Sequence, residues 1–421
     1  MRTSKGSPRR PSVAAHLAGA LAARTGDETA GPALALAGFA VAGSTSGAAA
    51  LLACVTVSAA VGGPVLGAFL DRARRPGRLL AGALALYAAG LGAVLLGLGR
   101  LPFGVTALLA VVTGLMGPAL SGGWTAQLPR IAPADRMPRL HGLDALTFSF
   151  AALAGPGLAG GTALLLGAPA AVVLAAALVA TAVPVAWSLP PAGPSPEKSP
   201  GGPASQGVRA VFRRRPLFRA TVTSVGCATG QGVVAACVPA LGAGVLGGSG
   251  RGALLLSVAA AAALAATALH ARLPRAPAPG TVLWGGALVQ AGAWAAAAAG
   301  GPVALVAAFA VSGAAEGPQL TALFAVRHEE TPRRLRGRVF TTGASLKITG
   351  FAVGSAAAGP VAARSLPAAL LLAAGVCAVS ALPYTYTRTK LPRGRAGSPH
   401  RAPSQDSPRR PPPHRGARRP T

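Results

Sequence analysis

Residues 145–196 read ALTFSFAALAGPGLAGGTALLLGAPAAVVLAAALVATAVPVAWSLPPAGPSP, with no Asp, Glu, Lys or Arg among them. A helix that crosses a bilayer needs about 20 mostly apolar residues, so this stretch is long enough for two. Helices of water-soluble folds keep a polar face, and these have none. The same reading extends outward, because residues 29–70, 79–99, 101–129, 220–250, 276–315 and 365–387 also lack charged side chains. Only 12% of the 421 residues are charged, against about 25% in soluble chains, and they fall between these windows. The expected fold class is all-α and integral to the membrane, with about 12 transmembrane helices.

Hydropathy places the helices at roughly 16–42, 47–69, 79–98, 103–126, 142–166 and 168–188, then 217–241, 252–271, 280–299, 301–325, 339–361 and 365–387. Two six-helix bundles follow, at 16–188 and 217–387. They are flanked by an N-terminal tail (1–15), a Pro- and Gly-rich linker (189–216) and a basic tail (388–421). If the N-terminus is cytoplasmic, the outer loops hold only Arg100, Arg251 and Arg364. Arg24 and Lys347 lie inside helices, and the other basic residues fall in cytoplasmic loops, tails and helix ends. That asymmetry is the positive-inside pattern, which expects both termini inside a bacterial plasma membrane. It also accounts for most of the +29 net charge, so nucleic-acid binding is not expected despite the arginine-rich tail. The four cysteines, Cys54, Cys227, Cys237 and Cys377, stand singly without metal-ligand spacing. No metal or cofactor is expected.

The linker opens with six prolines among Gly and Ser and reads as flexible. Its end, Val208-Arg209-Ala210-Val211-Phe212-Arg213-Arg214-Arg215, is suited to the anionic inner leaflet. The tail 388–421 is expected to be disordered. An internal repeat divides the chain at this linker. Gly155, Ala159 and Gly160 recur as Gly354, Ala358 and Gly359 about 200 residues later, and Gly117-Pro118 recurs as Gly317-Pro318. Repeats of this kind mark secondary transporters.

The loop after the second helix reads Gly67-Ala68-Phe69-Leu70-Asp71-Arg72-Ala73-Arg74-Arg75-Pro76-Gly77-Arg78. It resembles the signature of the major facilitator superfamily: Gly, three residues, Asp-Arg, then a basic stretch ending in Gly-Arg. The spacing before Gly77 departs from that pattern. The resemblance implies two six-helix bundles and a conformational latch built from Gly67, Asp71, Arg72, Gly77 and Arg78. Gly155-Pro156-Gly157-Leu158-Ala159-Gly160 resembles the glycine-proline motif of superfamily exporters, which implies close packing of the fifth helix through Gly155, Pro156 and Gly160. The loops around Leu128–Arg139 and Arg336–Phe340 are similar to a macrolide- and drug-efflux branch. One element is missing: many proton antiporters of the superfamily carry an arginine in the fourth helix, and residues 103–126 have none.

Charges within spans are costly and mark functional sites by default. Arg24, Asp27 and Glu28 fall in the first helix, Glu316 in the tenth and Lys347 in the eleventh. Arg24 can pair with Asp27 or Glu28 at helical spacing. Glu316 has no partner on its own helix, so it is either a proton or cation receptor or the partner of Lys347. Asp144 reads as a capping or surface residue. No G-x-x-x-x-G-K-[ST], G-x-S-x-G or H-E-x-x-H motif occurs, so neither ATP hydrolysis by a P-loop nor enzymatic activity is expected. The residues and the resemblance together imply a secondary transporter, functional as a monomer, that exports a small amphipathic molecule in exchange for protons. Two alternatives stay open at this stage: a facilitator or importer of a metabolite, and a transport-silent membrane scaffold whose basic tail recruits a partner.

Overall fold

The computed structural model describes residues 12–131, 136–191, 205–273, 277–332 and 335–385, and among them every regular element is helical. The first half contains α1 (Val13–Ala42), α2 (Thr45–Arg72), α3 (Pro76–Gly97), α4 (Phe103–Gly114), α5 (Met137–Leu166) and α6 (Ala168–Trp187). A short α7 (Ser205–Arg213) leads into α8 (Arg215–Val245), α9 (Ser249–Ala271), α10 (Pro279–Ala298), α11 (Pro302–Glu330), α12 (Arg336–Ala362) and α13 (Leu366–Thr385). Nine spans among the described residues are long and apolar enough to cross a membrane. The other long helices, α1, α10 and α12, are diluted by Arg24, Asp27 and Glu28, by Gln290, and by Lys347 respectively. The outward surface is apolar, with Leu165 84% and Val303 81% exposed, while Arg24 and Asp144 are buried. Such a surface fits a lipid environment, where every backbone polar group must be satisfied within helices.

Local chemistry sets the helix ends. The Ser12 hydroxyl accepts from the Ala15 N–H at 3.1 Å and caps α1. Gly43 closes the same helix at φ 61°, a left-handed conformation that favours glycine. Proline opens α3, α10 and α11, where its missing N–H costs nothing. The expected fourth span at 103–126 is present as Phe103–Gly123 but is not α-helical throughout. It stays α-helical only to Gly114, then continues through a π-helical turn at Ala119–Gly123 and a 3₁₀ turn at Leu128–Arg130. Pro118 lacks the N–H that would continue the ladder, and Gly117 beside it is a poor helix former. The linker is corrected in part: residues 205–213 form α7, while 192–204 and the tail 388–421 lie outside the described residues.

Small residues set how the helices meet. The glycines of the internal repeat make matched contacts. A Cβ on Gly155 would lie 2.5 Å from Glu28 Cβ on α1, and one on Gly354 would overlap the Thr229 carbonyl on α8. One turn further, Gly160 abuts Gly250 of α9 and Gly359 abuts Ser46 of α2. The first pair of contacts lies within each half, and the second joins the halves. Both joining contacts lie at the end that carries the α1–α2, α5–α6, α8–α9 and α12–α13 loops. A leucine at 160 fits no space beside Gly250, so Gly160→Leu is expected to leave each half folded but to open this end. Spin labels at Ser44 and Arg364, on opposite halves, should then report a longer distance by pulsed electron resonance.

Candidate functional site

Asp27 and Glu28 sit near the middle of α1, Glu316 near the middle of α11 and Lys347 near the middle of α12. Midplane placement between the halves is where transporter folds put their sites. Gly155 brings α5 against the backbone of Glu28 and Thr29 and so fixes the height of these acids. The Asp27 carboxylate accepts a hydrogen bond from the Tyr87 hydroxyl of α3 at 2.7 Å. Tyr87 is otherwise buried, and this bond satisfies its only polar group. Glu28 is exposed and, among the described residues, has no hydrogen-bond or ion-pair partner; it lies within electrostatic reach of Asp27 and Glu316. Glu316 Oε1 faces Lys347 Nζ at 3.5 Å, both side chains about one-third exposed. The structure therefore brings the acids of both halves together, with one lysine among three carboxylates.

The Glu316–Lys347 pair borders a cavity of about 20 Å³ in the second half, lined also by Thr223, Ser224, Gln231 and Gln319. That volume has room for about one water. Behind it runs a chain of amides: Gln231 donates to Gln290 at 3.5 Å, Gln290 to Gln319 at 2.5 Å, and Gln319 to the Leu283 carbonyl at 2.7 Å. Buried amides are costly unless bonded, and here each supports the next. Sequence reasoning passed over these residues, although Gln290 interrupts an otherwise apolar window.

Arg24 is placed differently from expectation. It pairs with neither Asp27 nor Glu28 but crosses to α5, where Nη1 meets Asp144 Oδ1 at 2.8 Å. The same guanidinium donates to Thr147 Oγ1, to Thr125 Oγ1 at 3.0 Å and to the Ser121 carbonyl at 3.2 Å, and it stacks 3.6 Å from the centre of the Phe148 ring. Thr125 donates in turn to Asp144 Oδ2 at 2.7 Å. The expected pairing on α1 and the surface role of Asp144 are both corrected. α5 lies along α1, so an arginine on the contact face reaches across more readily than along its own helix. The π turn of the fourth span contributes Ser121 to this cluster, and the residues just after it contribute Thr125.

The family model described as Major Facilitator Superfamily matches residues 17–279. The chain belongs to the major facilitator superfamily. It is 29% identical over 283 residues to an uncharacterised MFS-type transporter, y4rN, of Sinorhizobium fredii, covering 66% of this chain and 70% of that one. Its fold is similar to a POT family transporter solved with 5-aminolevulinic acid, with TM-score 0.70, 11% identity, and 92% and 98% of the two chains covered. It is likewise similar to a bacterial homologue of the human lysosomal transporter Spinster in an inward-facing and unoccupied conformation, with TM-score 0.68, 15% identity, and 89% and 96% covered. Likeness at this identity shows the fold. Membership of the superfamily makes the chain a multi-pass membrane transport protein.

The superfamily signature is described only in part. The α2 backbone runs helically to Arg72, but the surroundings of Gly67 and the side chains of Asp71 and Arg72 lie outside what is described. Gly77 and Arg78 bind the first half to itself. A Cβ on Gly77 would lie 2.6 Å from the Ala186 carbonyl, and Arg78 stands 5.0 Å over the Trp187 ring, so both dock α3 on the end of α6. Pro156 lies inside α5 without ending it.

Proposed function

We propose that this member of the superfamily is a secondary exporter that exchanges protons for a small amphipathic molecule by alternating access. It would work as a monomer in the cell membrane, with the halves at 16–188 and 217–387 rocking about the midplane. The observation that carries this reading is Glu28, a carboxylate with no hydrogen-bond or ion-pair partner among the described residues and within electrostatic reach of Glu316 of the other half. With Glu28 and Glu316 both ionised, like charges repel across the gap, and protonation or a cationic substrate removes the repulsion. Occupancy of one midplane site is thereby coupled to how closely the halves approach. Asp27, held by Tyr87, places a second carboxyl group beside Glu28. Arg24 has no role in this exchange because Asp144 holds it. The efflux assignment rests on the resemblance of Gly155–Gly160 and of the loops near Arg136 and Arg338 to exporters.

Orientation follows from charge. The end where glycines join the halves carries Arg100, Arg251 and Arg364, whereas the other end carries the clusters at 72–78, 209–219 and 327–338. By the positive-inside rule the joined end is extracytoplasmic. Single cysteines introduced on a cysteine-free background test it. Ser44, Arg100, Ala168, Ser249 and Arg364 should be labelled from outside by an impermeant reagent, and Arg74, Arg136, Pro200 and Leu335 only after permeabilisation. Labelling of position 200 from outside would reverse the orientation.

The absent fourth-helix arginine favours a second reading, a facilitator without proton coupling. Imposing a pH gradient on proteoliposomes separates the two: an exporter accumulates substrate against its gradient, whereas a facilitator only equilibrates it.

A further inference from the structure

The helix between the two halves has a second surface that transport does not use. On one side of α7, Val211 is buried against Leu217, Ala220, Leu323, Val326 and Val339 at the ends of α8, α11 and α12. The neighbouring Arg214 donates to the Glu330 carbonyl at 2.6 Å, tying the same end to α11. The other side is open. Val208 and Phe212, one turn apart, are 43% and 58% exposed. The Phe212 ring rests 5.8 Å from Phe218, in the first turn of the span that begins at Arg215. Arg209 and Arg213, one turn apart on α7, flank the apolar pair on one side, and Arg215 opens α8; all three are exposed and without an acidic partner among the described residues.

We propose that this face is a docking surface for anionic phospholipid. Val208 and Phe212 enter the boundary between headgroups and acyl chains, and Arg209, Arg213 and Arg215 bind the headgroup phosphates. Three observations favour lipid over another protein as the occupant. The apolar pair is continuous with Phe218, on the outward surface of a membrane span. The helix lies at the level where that span starts, which is the depth of the headgroups. Three guanidiniums without an acidic partner among the described residues complement a surface of phosphodiesters, each able to make a two-point hydrogen bond. An amphipathic helix with apolar and basic residues together lies in the interface plane for these reasons. Since Val211 and Arg214 hold α7 to the second half, lipid docking would fix the end of the connecting segment to that half as the halves move. The proposal requires only that the chain spans the membrane, not that it exports.

Hydrogen–deuterium exchange of the full chain in nanodiscs tests it directly. In wild-type protein, amides of 205–213 should exchange about tenfold slower or more in phosphatidylglycerol discs than in phosphatidylcholine discs, given about 1 kcal/mol per basic residue at an anionic surface. High salt should shrink the difference. Combined Arg209→Gln, Arg213→Gln and Arg215→Gln should abolish it while protection within α8 is unchanged. Equal exchange of the wild type in the two lipids overturns the proposal whether or not the variant can be made. A lipid difference that survives in the triple variant also overturns it.

Discussion

Replacing Arg24 with methionine is expected to destabilise the folded protein by about 3–5 kcal/mol, the cost of leaving one partner of a buried ion pair unmatched. Methionine keeps much of the length and apolar stem of arginine, so the loss is mainly electrostatic. Asp144 would keep the Thr125 hydroxyl as a donor but lose the guanidinium that neutralises it, with side-chain exposure of 2% and 4% in the pair. The Ser121 carbonyl would lose the bond it accepts from the guanidinium as well, and the Thr147 hydroxyl would keep only the bond it donates to the Asp144 carbonyl. The effect should appear as a lower melting temperature in detergent and a lower yield of monodisperse protein. Combined Arg24→Met and Asp144→Asn should recover part of the loss, because no unpaired charge then remains. A single variant as stable as wild type would show that the cluster is solvated and carries no such energy. A double variant worse than either single would show that hydrogen bonding, not charge, holds α1, α5 and the fourth span together.

Glu28→Gln is expected to abolish uphill transport while leaving exchange and folding intact. Glutamine keeps the shape and removes the titratable charge, and Glu28 has no partner whose loss would unbalance the interior. With one proton exchanged per substrate, each pH unit supports roughly tenfold accumulation. An uncoupled variant should fall to a ratio of about one. Glu316→Gln should behave differently, because Lys347 stands 3.5 Å away. That variant is expected to lose stability as well as transport, with partial recovery of stability in the combined Glu316→Gln, Lys347→Met protein. Asp27→Asn is expected to weaken coupling less, since Tyr87 still has a carbonyl oxygen to donate to. Normal accumulation in all three single variants would show that none of these carboxylates carries the coupling.

The membrane class and most helix positions were legible because they depend on local composition. Charge-free windows of about 20 residues mark spans whatever their neighbours. The break in the fourth span was missed although its cause, Gly117-Pro118, was visible. The same dipeptide at Gly317-Pro318 leaves α11 helical to Glu330, so the dipeptide alone does not decide. The amphipathic character of Val208–Arg215 was legible, and α7 forms there. The pairing of charges was not. Arg24, Asp27 and Glu28 lie within one turn, and helical spacing favours their mutual contact. The packing of α5 on α1 and α3 near Asp27 redirects them to Asp144 and Tyr87. Partner choice across helices depends on rotation about each axis, which a chain with few polar residues per helix barely encodes. The repeat glycines were legible as positions, and their matched contacts needed the structure.

In the proposed exchange, a carboxylate between the halves couples protons to export. Inverted membrane vesicles acidified inside, supplied with a panel of labelled amphipathic compounds, measure this directly. For a transported compound, accumulation against its gradient is expected in wild-type vesicles, lost on adding a protonophore and lost equally in Glu28→Gln. Accumulation that survives the protonophore and the substitution, or transport that only equilibrates the compound without proton movement, would contradict it.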